Sequence, residues 1–334
     1  MAEPARPILH IGFHKTATSW FQAHVYPVAT SHQYVDRVLV RQTLLTVSAF
    51  GFDAGAARAA LGFDRAIPPV ICDEDLSGFL HLGRTSSYVA KEIACRLHAT
   101  APEAQVVIFV RAQPAMVCSS YQQYLREGGT ESLRNYLFPE HARHPGKARP
   151  FKLPGFAFAQ FDYHGLIAHY DSLFGRENVH VILYEDFARD RDTTLATMHD
   201  TLGLTLGEGG PTRSGAVNAS YRRGLIPMVR AANLLTRRSV TNKRTLLHLP
   251  YWYPARKWLF ERLNRSAMFG TRPAADRMLG ADLSEWIRER FHAGNRRLAE
   301  RLGRDLESLG YPVEPPSVPV ERPRPARLRT WIRN

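Results

Sequence analysis

The chain has 334 residues, 44% of them hydrophobic, and a formal net charge of +13, enough apolar content to bury a full core in one large domain or two. No stretch approaches the roughly 18 apolar residues of a membrane span, and the N-terminal apolar run is too short for a signal-peptide core. The three cysteines, Cys72, Cys95 and Cys118, are odd in number and far apart, which argues against a disulfide framework or a structural zinc site and leads to the expectation of a cytoplasmic protein.

The first expected element is a strand over 7–11, followed by "GFHKTATSW" from Gly12 to Trp20. A helix is expected over 18–25, before Pro27. A second strand, "PVIC" at 69–72, runs into Asp73, Glu74 and Asp75. Apolar residues at three- and four-residue spacing predict a helix over 86–98. The strand "QVVIFV" at 105–110 ends at Arg111, and a helix follows over 114–126. After a helix at 161–174, the strand "VHVIL" at 179–183 ends in Tyr184, Glu185 and Asp186. The last expected helix covers 282–302.

Short, continuously apolar runs are the mark of parallel strands buried on both faces. Their alternation with helices implies right-handed crossovers and a doubly wound, mainly parallel α/β sheet flanked by helices, with a helical C-terminal part. Such sheets bind ligands at the carboxyl ends of their strands, where each run here turns polar. Residues 1–312 are expected to form a single domain. Within it, 139–154 has many prolines and basic residues and reads as an exposed loop or lid. Residues 313–334, rich in proline and arginine, read as a disordered tail.

The charge is localised. Residues 211–272 hold thirteen Lys or Arg against one acid, Glu261, so that the rest of the chain is nearly neutral. One strongly basic stretch on a near-neutral body points to an anionic partner, although a solvated basic face kept for solubility has the same composition. Aromatic residues are interleaved in "LPYWYPARKW", so contact with a membrane surface through 237–258 is one reading of the stretch.

The opening loop carries the first chemical signal. The full P-loop spacing, with a second glycine just before the lysine, is absent. Even so, a helix start after a buried strand offers N–H groups to an anion, Lys15 supplies a compact positive charge, and Thr16, Thr18 and Ser19 supply hydroxyls. An ordinary lysine at a strand–helix turn is the plainer alternative. The second signal is Arg111 at a strand tip with Ser119 eight residues on, a pair able to hold another phosphate. Glu74, at the end of the second strand, is the candidate base. Alternation along an extended chain would point Asp73 and Asp75 away from it. A cap on the following helix is the plainer role for Glu74.

Taken in order, these stretches resemble the sulfotransferases that use 3′-phosphoadenosine 5′-phosphosulfate (PAPS), over residues 7 to about 224. The resemblance implies a P-loop NTPase-like fold and a first loop, Gly12 with His14 to Ser19, that grips the 5′-phosphosulfate. It also implies that Arg111 and Ser119 hold the 3′-phosphate, that Tyr184 in "YEDFARD" lies near the adenine, and that Arg222, Arg223 and Gly224 in "NASYRRG" close over the nucleotide. Many family members carry glycine where this chain has Ala17, so the loop is expected to avoid a positive φ there. Lys15 would stabilise the leaving oxygen and Glu74 would take the acceptor's proton. A glutamate here implies a carbohydrate hydroxyl, on an oligosaccharide or glycolipid. No metal and no nucleic acid are expected. The alternatives are a P-loop kinase-like phosphotransferase and a non-enzymatic binder of nucleic acid or membrane surface. The sequence leaves the oligomeric state open.

Overall fold

A computed structural model describes residues 5–139, 155–207, 220–236, 244–316 and 320. Most of the proposed lid and tail, together with Arg237, Arg238 and Lys243, lie outside the described residues. Five parallel strands form one sheet: β1 (Ile8–Gly12), β2 (Gln33–Tyr34), β3 (Pro69–Cys72), β4 (Gln105–Val110) and β5 (Val179–Leu183), in the order β2-β3-β1-β4-β5. Ile8 pairs with Val70 on one side of β1 and with Gln105 on the other, and Val106 of β4 pairs with Val179 of β5.

The apolar runs are continuous because both sheet faces are covered. Side chains alternate between two cores: Leu9, Ile11, Ile71, Val106, Ile108 and Val110 enter one, while Ile8, Val70, Cys72, Val107 and Phe109 enter the other with Trp20 and Phe21. Helices Ser86–Thr100 and Tyr163–Phe174 cover the first face, and helix Thr18–His24 the second. This is the doubly wound α/β architecture that the alternation predicts.

The four longer strands match their predicted bounds to within one residue. β2, two residues long, is too short to carry a period and was not foreseen. The strand order reverses about β1. The carboxyl ends of β1, β3, β4 and β5 therefore bring Gly12, Asp73, Arg111 and Tyr184 to one edge, at the switch point where such sheets bind ligands.

Candidate active site

The loop after β1 is shaped by its backbone. Gly12 sits at φ 111°, and a Cβ there would lie 3.1 Å from the Glu74 Cα and 3.2 Å from its carbonyl oxygen. The glycine is thus required twice, by conformation and by the close approach of the residue after β3. Lys15 and Ala17 also adopt positive φ, 63° and 72°. The expectation that Ala17 would avoid this region is therefore wrong: the loop keeps a left-handed residue there, and alanine bears a cost of about 1 kcal/mol. Thr16 does not face outward. Its side chain is buried, and the hydroxyl donates to the Phe13 carbonyl at 2.5 Å, closing the loop from within.

What the loop presents instead is Lys15, Ala17, Thr18 and Ser19, which line a cavity of about 490 Å³ at the sheet edge. Helix Thr18–His24 starts there with no side-chain cap. Arg111, Ser119, Tyr184, His14 and Glu74 line the same cavity. Arg111 is held in place: its guanidinium donates to the Lys15 carbonyl at 3.2 Å and lies 4.5 Å from the centre of the Tyr184 ring, while Tyr163 donates to the Arg111 carbonyl at 2.7 Å. Such anchoring reduces the entropy lost when an anion is bound.

Several wall residues were not predicted. Helix Gln113–Arg126 presents Ser119, Gln123 and Arg126, with Glu127 just beyond, all on one face at helical spacing. Starting from Ser119, periodicity alone would have found them. Arg191, 5.4 and 5.7 Å from the ring centres of Trp20 and Phe187, which touch each other, adds another cation. Helix Trp252–Leu263 supplies Tyr253, Lys257 and Glu261, again at successive turns. The charged surroundings act on Lys15. Burial, and then the Arg126 and Arg111 charges, hold its ammonium below the ordinary value against the opposing pull of Glu127 and Glu74.

Of the "NASYRRG" stretch, Ser220 to Gly224 fall within the described residues. Ser220 and Tyr221 line the cavity, but the Arg222 guanidinium donates to the carbonyls of Asn264 and Gly270, and the amides of Arg223 and Gly224 bond to Thr271 and Phe269. These three residues join two surface segments. Arg126, 5.3 Å from the Tyr221 ring centre, supplies a cation in the cavity wall.

Glu74 stands where two cavities meet. It opens a short 3₁₀ turn, Glu74–Ser77, whose cap is Asp73, accepting from the Asp75 amide at 2.9 Å; Glu74 is not the cap. Because the strand ends at Cys72, the expected alternation stops, and the three carboxylates share one clamp. Arg37 donates to Asp73 at 2.7 Å and to Glu74 Oε1 at 2.6 Å; Arg41 bonds Asp73 and Asp75; His14 Nε2 lies 2.9 Å from Asp75. Burial opposes charge on Asp75, but its bond to His14 and the two arginines outweigh this and hold its carboxyl below the usual range. Glu74 Oε2 is buried and accepts no hydrogen bond among the described residues.

The second cavity, about 500 Å³, shares His14, Glu74, Gln123 and Glu127 with the first. Arg37, Arg41 and Asp75 supply a polar side, and Phe79, Leu80 and Leu82 an apolar one. The pair of cavities therefore has a chamber lined by cations and hydroxyls and a mixed polar and apolar chamber, with a carboxylate on their common wall.

The fold is also that of a solved sulfotransferase from Alicyclobacillus acidocaldarius, with a TM-score of 0.53 and 16% identity over 92% of this chain and 99% of that one. The likeness is one of fold. No protein-family model and no curated protein matches the chain.

Proposed function

We propose that the chain is a PAPS-dependent sulfotransferase, with the nucleotide in the Lys15–Arg111–Ser119 chamber and a hydroxyl acceptor in the chamber beside it. The observation that carries this reading is the position of Glu74, on the wall common to the two chambers and in the same cavity as Lys15. The acceptor oxygen attacks sulfur, the bond from sulfur to the bridging oxygen of the 5′-phosphate breaks, and the electron pair goes to that oxygen. The acceptor's proton goes to Glu74, whose Oε2 has no hydrogen-bond donor among the described residues. Lys15 stabilises charge on the leaving oxygen. Its depressed pKa, caused chiefly by burial, also eases donation of a proton to it.

For the acceptor we infer a carbohydrate hydroxyl, on an oligosaccharide or glycolipid. Charged hydrogen-bonding groups facing an apolar wall suit a sugar ring, which carries hydroxyls at its rim and C–H groups on its faces. In the kinase-like alternative, a carboxylate at the end of β3 would hold a metal ion. Asp73 is the residue at that position, and both of its oxygens are already engaged by Arg37 and Arg41.

Two measurements test the reading. Adenosine 3′,5′-bisphosphate should raise the melting temperature, while ATP with Mg²⁺ should not; stabilisation by ATP with Mg²⁺ alone would overturn it. A screen of sugars, phenols and lipids for sulfate transfer from PAPS should then give product with a sugar-bearing acceptor.

A further inference from the structure

Helices Leu225–Asn233 and Trp252–Leu263 pack together at the edge of the cavity. Along the second helix, Tyr253, Lys257 and Glu261 face the cavity and Arg256 and Phe260 are buried. The remaining face, with Trp258, Leu259 and Arg262, is exposed. Apolar groups stand out in solvent around this helix pair: Leu246 is 77% exposed, Leu247 57%, Tyr251 89%, Trp258 65% and Met268 83%. This is an unusual amount of apolar surface for one short stretch of chain.

The charge of the same region is one-sided. Arg223, Arg262, Arg265 and Arg272 are exposed, and Glu261, the one acid from 221 to 272, lies on the cavity face of its helix. Backbone bonds from Arg223 to Thr271 and from Gly224 to Phe269 bring the arginines at 223 and 272 together beside Met268. Arg262 lies 6.0 Å from the Trp258 ring centre, so a cation and an indole share one exposed turn. An acidic polysaccharide would account for the arginines but not for Leu246, Leu247 and Met268, and an acidic protein would need an apolar patch of its own to cover them. A lipid interface takes all three kinds of group: aliphatic side chains at the acyl boundary, Trp and Tyr at headgroup level, and arginines against anionic headgroups.

We propose that this surface docks the protein onto an anionic phospholipid bilayer, with the mouth of the cavity close to the membrane plane. The proposal concerns where the protein sits and stands independently of the donor nucleotide.

The test is co-sedimentation of the full chain with vesicles of phosphatidylcholine alone or mixed with phosphatidylglycerol. Binding to the mixed vesicles only, weakening with salt, is expected. Arg262→Glu with Arg265→Glu should weaken binding about tenfold or more. Leu246→Ser, Leu247→Ser and Trp258→Ser together should do the same at unchanged charge. Melting temperature with and without adenosine 3′,5′-bisphosphate checks that each variant is folded. No binding to mixed vesicles would overturn the proposal. So would binding that ignores the apolar triple variant, or retention on a heparin column without vesicle binding.

Discussion

Arg37 and Glu74 form a fixed pair: the guanidinium donates to Glu74 Oε1 at 2.6 Å while also holding Asp73, which leaves Oε2 as the oxygen with lone pairs to spare. The base of the proposed reaction must be oriented as well as present, and this pairing would orient Glu74 for that role. Glu74→Gln keeps the size and the Arg37 contact, so folding and binding of adenosine 3′,5′-bisphosphate should survive. Turnover should drop about 100-fold or more. Steady-state assays beside calorimetry separate the two effects, and unchanged turnover would move the base elsewhere, with His14 the next candidate.

Arg111 should act on binding. Its side chain is held by the Lys15 carbonyl and the Tyr184 ring, so its charge is already aimed into the cavity. Arg111→Ala should weaken adenosine 3′,5′-bisphosphate binding by about 2–3 kcal/mol, the range for a hydrogen bond to a charged group. Lys15→Ala should lower both affinity and turnover, because that charge acts on ground and transition states. Titration calorimetry on the two variants distinguishes them; wild-type affinity in a folded Arg111→Ala protein would remove Arg111 from the nucleotide site.

The two small residues of the loop should respond unequally to exchange. Gly12→Ala forces a positive φ on alanine and puts its Cβ 3.1 Å from the Glu74 Cα, a backbone atom that cannot swing aside. A loss of about 2 kcal/mol or more is expected, with turnover falling as Glu74 is displaced. Ala17→Gly relieves about 1 kcal/mol of left-handed strain and returns about 0.4–1 kcal/mol of chain entropy to the unfolded state, so its stability should barely change. Thermal melts of both variants check this, and a large loss in Ala17→Gly would mean that its methyl group packs in a way the loop geometry does not require.

The contrast between those residues shows what the sequence carried. β1, β3, β4 and β5 were legible because strands buried on both faces must be apolar throughout. Arg111, Ser119 and Glu74 were legible because they stand at strand tips or at fixed spacing from them. The loop's left-handed Ala17 was not, since alanine gives no sign of a positive φ. Nor was the bend after Cys72, which replaces strand alternation with a turn and gathers Asp73, Glu74 and Asp75 on Arg37 and Arg41. Helix Trp252–Leu263 was hidden by its own charge. Read as a basic run, 211–272 conceals that Tyr253, Lys257 and Glu261 recur at four-residue spacing and form a cavity wall.

Acid should destabilise the fold through a histidine at its centre. His10 lies in the central strand, fully buried, stacked on Phe109 at 5.0 Å between ring centres and 2.7 Å from the Tyr26 hydroxyl. Burial lowers its pKa from 6.5 to about 3, so the folded protein keeps this imidazole neutral where the unfolded chain would protonate it. Between those values the unfolded state binds the extra proton, and stability must fall as pH falls, by up to about 1.4 kcal/mol per pH unit. The loss begins near pH 6.5 and ends near pH 3. His81, whose pKa burial lowers to about 4, has the same sign, so the slope belongs to more than one residue. The contribution of His10 is isolated by His10→Gln, which can still bond the Tyr26 hydroxyl but cannot titrate. Urea unfolding at about pH 7.5 and about pH 5 should show wild type losing about 2 kcal/mol more than the variant. Equal losses in the two proteins would mean that His10 keeps an ordinary pKa and that the central strand is open to water.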